Sequence, residues 1–182
     1  MSKKVYIFLA DGFEDIEGLT VVDLLRRAGI DIKTISIKET TRIQTSHGIT
    51  MLTDAIFAET DFADADMLVL PGGMPGTLNL QKNKMVTDAI EYCVKNEKLV
   101  AAICAAPMIL GDLGYLDGKN AVCFPGFEDS LTESNILSDG VVRDGNFITA
   151  KGAGKALEFG AAIVDYFSEP PKGERILQKM QV

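Results

Sequence analysis

Short apolar runs of strand length alternate with longer stretches of helical periodicity along the chain. The apolar runs lie at 4–10, 31–37, 66–73 and 98–103. The helical stretches lie at 11–30, 83–96, 105–113 and 155–167. All but the second run are apolar on both faces, which is typical of strands covered by helices on both sides. The alternation therefore predicts an α/β fold with a mainly parallel sheet.

The first helix is predicted from four apolar residues at helical spacing. These residues are Ile16, Leu19, Val22 and Leu25. Gly29 follows at a position where glycine commonly ends a helix. We therefore expect these four side chains to form the apolar face of the helix.

Antiparallel strands are predicted at two places. Residues 42–54 have the pattern of a small hairpin that turns near His47. Residues 140–150 contain a second pair of strands, and a short helix follows Pro171. Because no repeat, low-complexity segment or linker interrupts the sequence, we expect a single domain over residues 1–182.

Three loops that follow predicted strands carry residues that can take part in catalysis or binding. Their sequences are ADGFEDIE at 10–17, PGG at 71–73 and CAAP at 104–107. The carboxyl ends of parallel strands lie at one edge of a sheet, and ligands bind outside that edge. The sequence therefore predicts that the three loops meet in one site.

Cys104 is the candidate nucleophile of this site. Alanines on both sides leave room for a tight turn that exposes its side chain, as in the nucleophile turn of hydrolases. The positive end of the next helix, whose first turn suits Pro107, predicts a lowered pKa for the thiol. The alternative is a small buried hydrophobe, because free cysteine is among the most buried residue types.

The other two loops offer partners for the thiol. Glu17 adjoins the apolar face of the first helix, so its carboxyl group can turn toward the strand ends, acquire a raised pKa and shuttle a proton. Gly72 and Gly73 predict either backbone N–H groups aimed at an oxyanion or an ordinary glycine turn. The single histidine, His47, lies in the hairpin, so the local sequence contains no Cys-His dyad.

Composition and charge exclude several functions. The net charge is −8, and Lys and Arg form no cluster beyond Arg26 and Arg27, so nucleic acid is not an expected partner. No apolar run approaches the roughly 20 residues of a membrane span. The apolar run at 4–10 is followed at once by acids and lacks a signal-peptide cleavage site. We therefore expect a cytoplasmic protein without a membrane partner.

The cysteine count excludes two kinds of structural site. Cys93, Cys104 and Cys123 are odd in number and irregular in spacing, so neither a disulfide framework nor a zinc site is expected. With one histidine and no evident carboxylate cluster, we expect no metal and no cofactor. Cys93, in a predicted helix, and Cys123, in a predicted strand, are interpreted as structural, although Cys123 could also line the pocket.

Four motifs in a consistent order resemble those of a known family. They are GFEDIE, LPGG, AAICAAP and TAKGAG, and together they span nearly the whole chain. The sequence resembles the ThiJ/PfpI superfamily, within it the branch of Parkinson disease protein 7 and its bacterial relatives. This resemblance implies a homodimer and a flavodoxin-like three-layer sandwich related to class I glutamine amidotransferase domains.

The resemblance also implies roles for individual residues. The reactive cysteine of the family matches Cys104, and the glutamate that hydrogen-bonds to it matches Glu17. The backbone N–H groups that face this cysteine match Gly72, Gly73 and Ala105.

Two departures from the family pattern narrow the expected chemistry. Peptidase-like members have a histidine directly after the cysteine, where this chain has Ala105, so proteolysis is not expected. Some glyoxalase-active members have a histidine before a proline, where this chain has Phe124, which leaves acid–base work to Glu17. The family's arginine near the site mouth matches His47, and His47, Phe124 and Gly152 are candidate pocket residues.

Two hypotheses about function follow from the resemblance. In the first, the Cys104 thiolate attacks α-oxoaldehydes or their protein adducts, Glu17 moves the proton, and the chain is a glyoxalase or deglycase. In the second, Cys104 is oxidised to sulfinate and the chain is a stress sensor or chaperone. The two can coexist. A degenerate member kept for binding is a third hypothesis, which the intact set of site residues argues against.

Overall fold

A seven-stranded sheet forms the centre of the computed structural model, which describes residues 3–182. The strands are β1 (Lys4–Leu9), β2 (Asp31–Ser36), β3 (Arg42–Gln44), β4 (Thr50–Leu52), β5 (Ala55–Ile56), β6 (Met67–Leu70), β7 (Leu99–Ile103), β8 (Asn120–Ala121), β9 (Asn135–Ile136), β10 (Val141–Asp144) and β11 (Phe147–Ala150). The helices are α1 (Asp15–Arg27), α2 (Gly76–Lys82), α3 (Lys84–Lys95), α4 (Pro107–Asp112), α5 (Ala156–Phe167) and α6 (Lys172–Lys179).

The order of strands in the sheet is β10-β11-β7-β6-β1-β2-β5. All neighbours pair in parallel except β10 and β11, which are antiparallel. Strands β6 and β7 are buried along their whole length, as expected for strands covered on both faces. The predicted parallel sheet and the antiparallel pair at its edge are confirmed.

Helices cover both faces of the sheet and give it two apolar cores. On one face, α1, α5 and α6 contribute Leu24, Phe159 and Ile176. On the other face, α2, α3 and α4 contribute residues such as Leu80 and Ile90. The fold is therefore the three-layer α/β sandwich that the sequence predicts. Among the described residues, no helix is long and apolar enough to cross a membrane.

The buried face of α1 differs from the prediction. Ile16 is 54% exposed and Leu19 is 38% exposed, whereas Val22 and Leu25 are buried as expected. The helix turns Gly18 toward the sheet instead, where a Cβ would come within 2.6 Å of the ring of Phe13. This close packing sets the rotation of the helix, so two of its apolar residues face outward.

Two local predictions also differ from the structure, and a third is confirmed. The segment after the PGG turn forms α2. The sequence does not predict this helix, because seven residues are too few to show a helical period of apolar positions. Cys123 lies beyond the end of β8 and is not in a strand, although it is buried. The predicted hairpin is present as β3 and β4, which pair antiparallel around the turn that contains His47.

Candidate active site

Cys104 occupies a tight turn between β7 and α4. Its φ of 66° lies in the left-handed region, which a residue with a side chain rarely adopts. Two backbone hydrogen bonds hold the turn: the N–H of Cys104 donates to Ala150 at 2.8 Å, and the N–H of Phe124 donates to the Cys104 carbonyl at 2.8 Å. Strain at such a residue costs about 1–3 kcal/mol and persists only where the surroundings impose it. The predicted tight turn at Cys104 is present.

Glu17 points from the first turn of α1 toward this cysteine. The side chain of Glu14 caps the helix by accepting the backbone N–H of Glu17 at 2.8 Å. The Glu17 side chain is 1% exposed, and its Oε2 accepts the N–H of Gly72 at 2.9 Å. The structure therefore brings a carboxyl group from the first loop into the buried part of the site.

Gly72 separates Glu17 from Cys104, and only glycine fits there. A Cβ at this position would lie 2.5 Å from Glu17 Oε2 and 2.6 Å from the Cβ of Cys104. The absence of a side chain lets the carboxyl and the thiol interact directly.

Two backbone N–H groups are directed at the sulfur. They belong to Gly73 and Ala105, and their hydrogen bonds favour the thiolate. The N–H of Gly72 donates to Glu17 instead, so it is not available as the oxyanion donor that the glycine pair suggested. The three predicted loops therefore meet at one edge of the sheet. Of the three N–H groups, that of Gly72 binds the carboxyl group of Glu17, and the other two face the sulfur.

Burial has the largest effect on the pKa of Glu17. It raises the pKa of Glu17 from the ordinary 4.5 to about 7, because hydrogen bonds with Cys104 and Gly72 offset only part of the cost of burying the charge. The negative charge of Glu14 adds to this rise in pKa. At neutral pH the carboxyl group is close to half-protonated, which suits a group that takes up and returns a proton.

The Cys104 thiol has a raised pKa, and the predicted lowering by a helix N-terminus is wrong. Burial first, then the charge and hydrogen bond of Glu17, raise the pKa of Cys104 to about 12. Helix α4 begins only at Pro107, so Cys104 lies outside its first turn, where the helix dipole acts. Because the two groups are coupled, the carboxyl loses its proton first and the pair keeps one shared proton well above neutral pH.

A cavity of about 420 Å³ lies near the thiol. Its lining consists of Phe124, Pro125, Lys151, Gly152, Ala153, Gly154 and Lys155. Gly152 is close to the sulfur: a Cβ there would be 3.1 Å from the ring of Phe124 and 4.0 Å from Cys104 Sγ. Phe124 and Gly152 were predicted as pocket residues. The two lysines were missed, although both lie in or next to the TAKGAG motif.

His47 lies at the end of the hairpin, outside the lining of this cavity. Its Nδ1 lies 2.6 Å from Oδ2 of Asp15, and that carboxylate raises the pKa of His47. Glu14 is also near, so one ligand atom from each of these three residues lies within 4.8 Å of the others. These residues could hold a metal ion: Glu14 and Asp15 are adjacent in the sequence, and the fold brings His47 of the hairpin to them. His47 is 68% exposed as a side chain and contacts Asp15 and Ser46, but not Cys104.

Comparisons with known proteins agree with this geometry. The sequence profile of the DJ-1/PfpI family matches residues 3–166. Protein dj-1beta of Drosophila melanogaster is 32% identical over 184 residues, which cover 100% of this chain and 98% of that protein. Its crystal structure superposes with a TM-score of 0.94 and covers 100% of this chain and 99% of that chain.

Two further relatives come from a plant and an archaeon. Protein DJ-1 homolog B of Arabidopsis thaliana is 33% identical over 166 residues, which cover 90% of this chain but only 38% of that longer protein. A protein of Pyrococcus abyssi that bears the name deglycase is 32% identical over 154 residues, 83% of this chain and 91% of that protein. The profile, these relatives and the shared fold show that the chain belongs to the DJ-1/PfpI family.

Proposed function

We propose that the chain is a cysteine-dependent enzyme that acts on α-oxoaldehydes, or on the adducts that they form with proteins. The observation that carries this proposal is the buried Glu17, which Gly72 holds against Cys104 with a pKa of about 7. A thiol beside a carboxyl group of this pKa forms a nucleophile with its own proton acceptor. The name of the Pyrococcus abyssi relative, deglycase, supports the same class of activity.

The first step joins the thiol to the aldehyde. Cys104 sulfur bonds to the aldehyde carbon while Glu17 accepts the thiol proton. Glu17 then passes this proton to the aldehyde oxygen, which gives a hemithioacetal and leaves Glu17 as a carboxylate. The N–H groups of Gly73 and Ala105 stabilise the sulfur while it carries negative charge. This step needs the pair in its singly protonated form.

The second step is an internal redox reaction. Glu17 removes the remaining hydrogen of the former aldehyde carbon as a proton and returns it to the neighbouring ketone carbon. The hydroxyl proton moves from the former aldehyde oxygen to the former ketone oxygen, which gives a thioester of a 2-hydroxy acid. The aldehyde carbon is oxidised and the ketone carbon is reduced, so no external oxidant is required. Water then cleaves the thioester, releases the acid and restores the thiol. Methylglyoxal would give lactate.

Phe124 limits the rate of this chemistry. Where some relatives with this activity have a histidine, the chain has an apolar ring, so Glu17 performs each proton transfer without a second acid or base. Ala105, directly after the nucleophile, likewise supplies no base. We therefore infer a slow enzyme, and we infer that proteolysis is not its activity.

The pH dependence of lactate formation tests the proposal. The value of kcat/KM for methylglyoxal, without glutathione, is expected to rise about tenfold per pH unit below pH 7 and to level off above it, because Glu17 must lose a proton to act as a base. Lactate is measured by NMR between pH 5 and 9. A flat profile over this range, or no lactate at any pH, would contradict the proposed role of Glu17.

A second candidate function is redox sensing. Cys104 is the half-exposed cysteine of the three, and the N–H groups of Gly73 and Ala105 could bind the oxygens of a sulfinate. Mild hydrogen peroxide is expected to add two oxygens to Cys104 before it modifies the buried Cys93 and Cys123, as measured by peptide mass spectrometry. Equal modification of the three cysteines would count against a sensor.

Assembly as a homodimer is also proposed. DJ-1 family proteins are commonly dimeric. Exposed apolar side chains on α1 and the β3–β4 hairpin, among them Ile16, Leu19 and Leu52, support an interface there.

A small reactive carbonyl or a glycated protein is the proposed substrate. A single domain over residues 1–182 and a cytoplasmic location stay predictions from the sequence.

A further inference from the structure

The cavity beside Cys104 is larger than the simplest substrate requires. A volume of about 420 Å³ falls in the range of about 300–1,000 Å³ that is typical of sites for drug-sized ligands. Methylglyoxal has only three carbons and would leave most of this space to water. Gly152 lines the cavity, and a Cβ at this position would lie 4.0 Å from Sγ of Cys104.

An aromatic ring forms one wall of the cavity. Phe124 is 45% exposed, so much of its ring is open to a ligand. The ring of Phe127 packs edge-on against it, with centroids 6.4 Å apart, and the backbone N–H of Phe124 is bonded to Cys104. The Phe124 ring is therefore held in place next to the sulfur. A planar apolar group in the cavity could stack on it and cover its exposed face.

Lys151, which contributes to the same lining, carries a free cation. Lys151 is half-buried, and its ammonium group has no ion pair or hydrogen bond with any residue in the described range 3–182. Its neighbour Lys155 is already paired with Glu158 at 2.8 Å. An unpaired lysine on an apolar pocket suits an anionic group of the ligand.

We propose that this cavity selects α-oxoaldehydes that have an aromatic body and an anionic end, with Phe124 stacking on the ring and Lys151 binding the anion. The inference rests on the proposed function for its reaction, since the aldehyde must reach Cys104. It adds a substrate class and two specificity-determining residues. The aldehyde carbon bonds to the sulfur as described above, and the reaction needs no further reactant than water.

Three probes separate the contributions of the two residues. Methylglyoxal lacks both groups, phenylglyoxal has the ring, and 4-carboxyphenylglyoxal has the ring and the anion. In Phe124→Ala, the ratio of kcat/KM for phenylglyoxal to that for methylglyoxal is expected to fall about tenfold. In Lys151→Gln, the ratio for 4-carboxyphenylglyoxal to phenylglyoxal is expected to fall about fivefold. Ratios within one variant cancel differences in general activity and in intrinsic reactivity.

Two controls accompany these rates. Lys179→Gln removes the same charge from the exposed surface of α6 and is expected to leave both ratios unchanged. Cys104→Ser supplies the background, because oxoaldehydes also react with arginine side chains. Ratios that do not change in Phe124→Ala and Lys151→Gln would overturn the inference while leaving the proposed function intact.

A binding measurement distinguishes failure of the inference from failure of the proposed function. 4-Carboxyacetophenone has the ring and the anion but no aldehyde, and it is titrated calorimetrically into wild-type protein, Phe124→Ala and Lys151→Gln. Weaker binding to both variants supports the cavity's selectivity even if no oxoaldehyde is consumed, in which case only the proposed reaction fails. Equal binding to the three proteins, or none to wild type, counts against the inference.

Discussion

Cys104→Ser is expected to lower the consumption of methylglyoxal by about 10³-fold or more, to the background of the reaction with other side chains. A serine hydroxyl holds its proton far more tightly than a thiol. A carboxylate with a pKa of about 7, such as Glu17, can therefore not activate it. The turn itself is expected to persist, because its two backbone hydrogen bonds do not involve the sulfur. Lactate formation at pH 8 is the measurement.

The matched control for this variant is Cys93→Ala. Cys93 is buried in α3, and burial raises the pKa of its thiol to about 11, so it is not expected to act as a nucleophile. Its loss is expected to leave kcat/KM unchanged, at some cost in stability from the cavity that it creates. Cys104→Ser protein that still forms lactate at the wild-type rate would rule out the proposed nucleophile.

Glu17→Gln is expected to reduce kcat/KM by about 10²–10⁴-fold, because glutamine cannot accept the thiol proton or move a proton between the two carbons. The same variant is expected to be more stable than wild type at pH 8. Glutamine fills the same space and can still accept the N–H of Gly72, but it carries no buried charge. Opposite changes in activity and stability distinguish a reacting group from a merely structural one.

The gain in stability has a defined pH dependence. Folding raises the pKa of Glu17 from 4.5 to about 7, so the charged carboxylate opposes folding. This penalty is absent below pH 4.5, grows as the pH rises to about 7 and is constant above it. Its full size is about 3–4 kcal/mol. Urea unfolding of wild type and Glu17→Gln is therefore expected to differ by about that amount at pH 8, and to differ little at pH 4.5.

An exposed glutamate provides the comparison. Glu59→Gln removes an acid from the surface and is expected to change the free energy of unfolding by less than about 0.5 kcal/mol at both pH values. If Glu17→Gln is no more stable than wild type at pH 8, the buried carboxyl is not the strained proton carrier that the mechanism requires.

The sheet and the nucleophile turn could be predicted because their signals are local. Apolar runs identify buried strands wherever they occur, and the small residues around Cys104 permit one kind of turn. The inward direction of Glu17 was also predicted, although part of the apolar face used to predict it is exposed. The packing of Gly18 against Phe13 determines the rotation of α1, and this contact cannot be predicted from the periodicity of apolar residues.

The electrostatics of the site could not be predicted from the sequence. The pKa of Cys104 rises because burial and the charge of Glu17 act on it together, and both depend on the distance between parts of the chain that are far apart in sequence. The helix dipole, a local feature, predicted the opposite direction for this pKa. The pairing of His47 with Asp15 and the freedom of Lys151 likewise depend on which loops the fold brings together.

The close contact at Gly72 has a consequence for how this site can change during evolution or design. Any side chain at that position would displace both reacting groups at once, so no single substitution there leads gradually to another acid–base pair. Phe124 and Lys151 border open space, and substitutions at these positions meet no such barrier. Changes of substrate can therefore accumulate one residue at a time around a reacting pair that must be inherited or replaced as a unit.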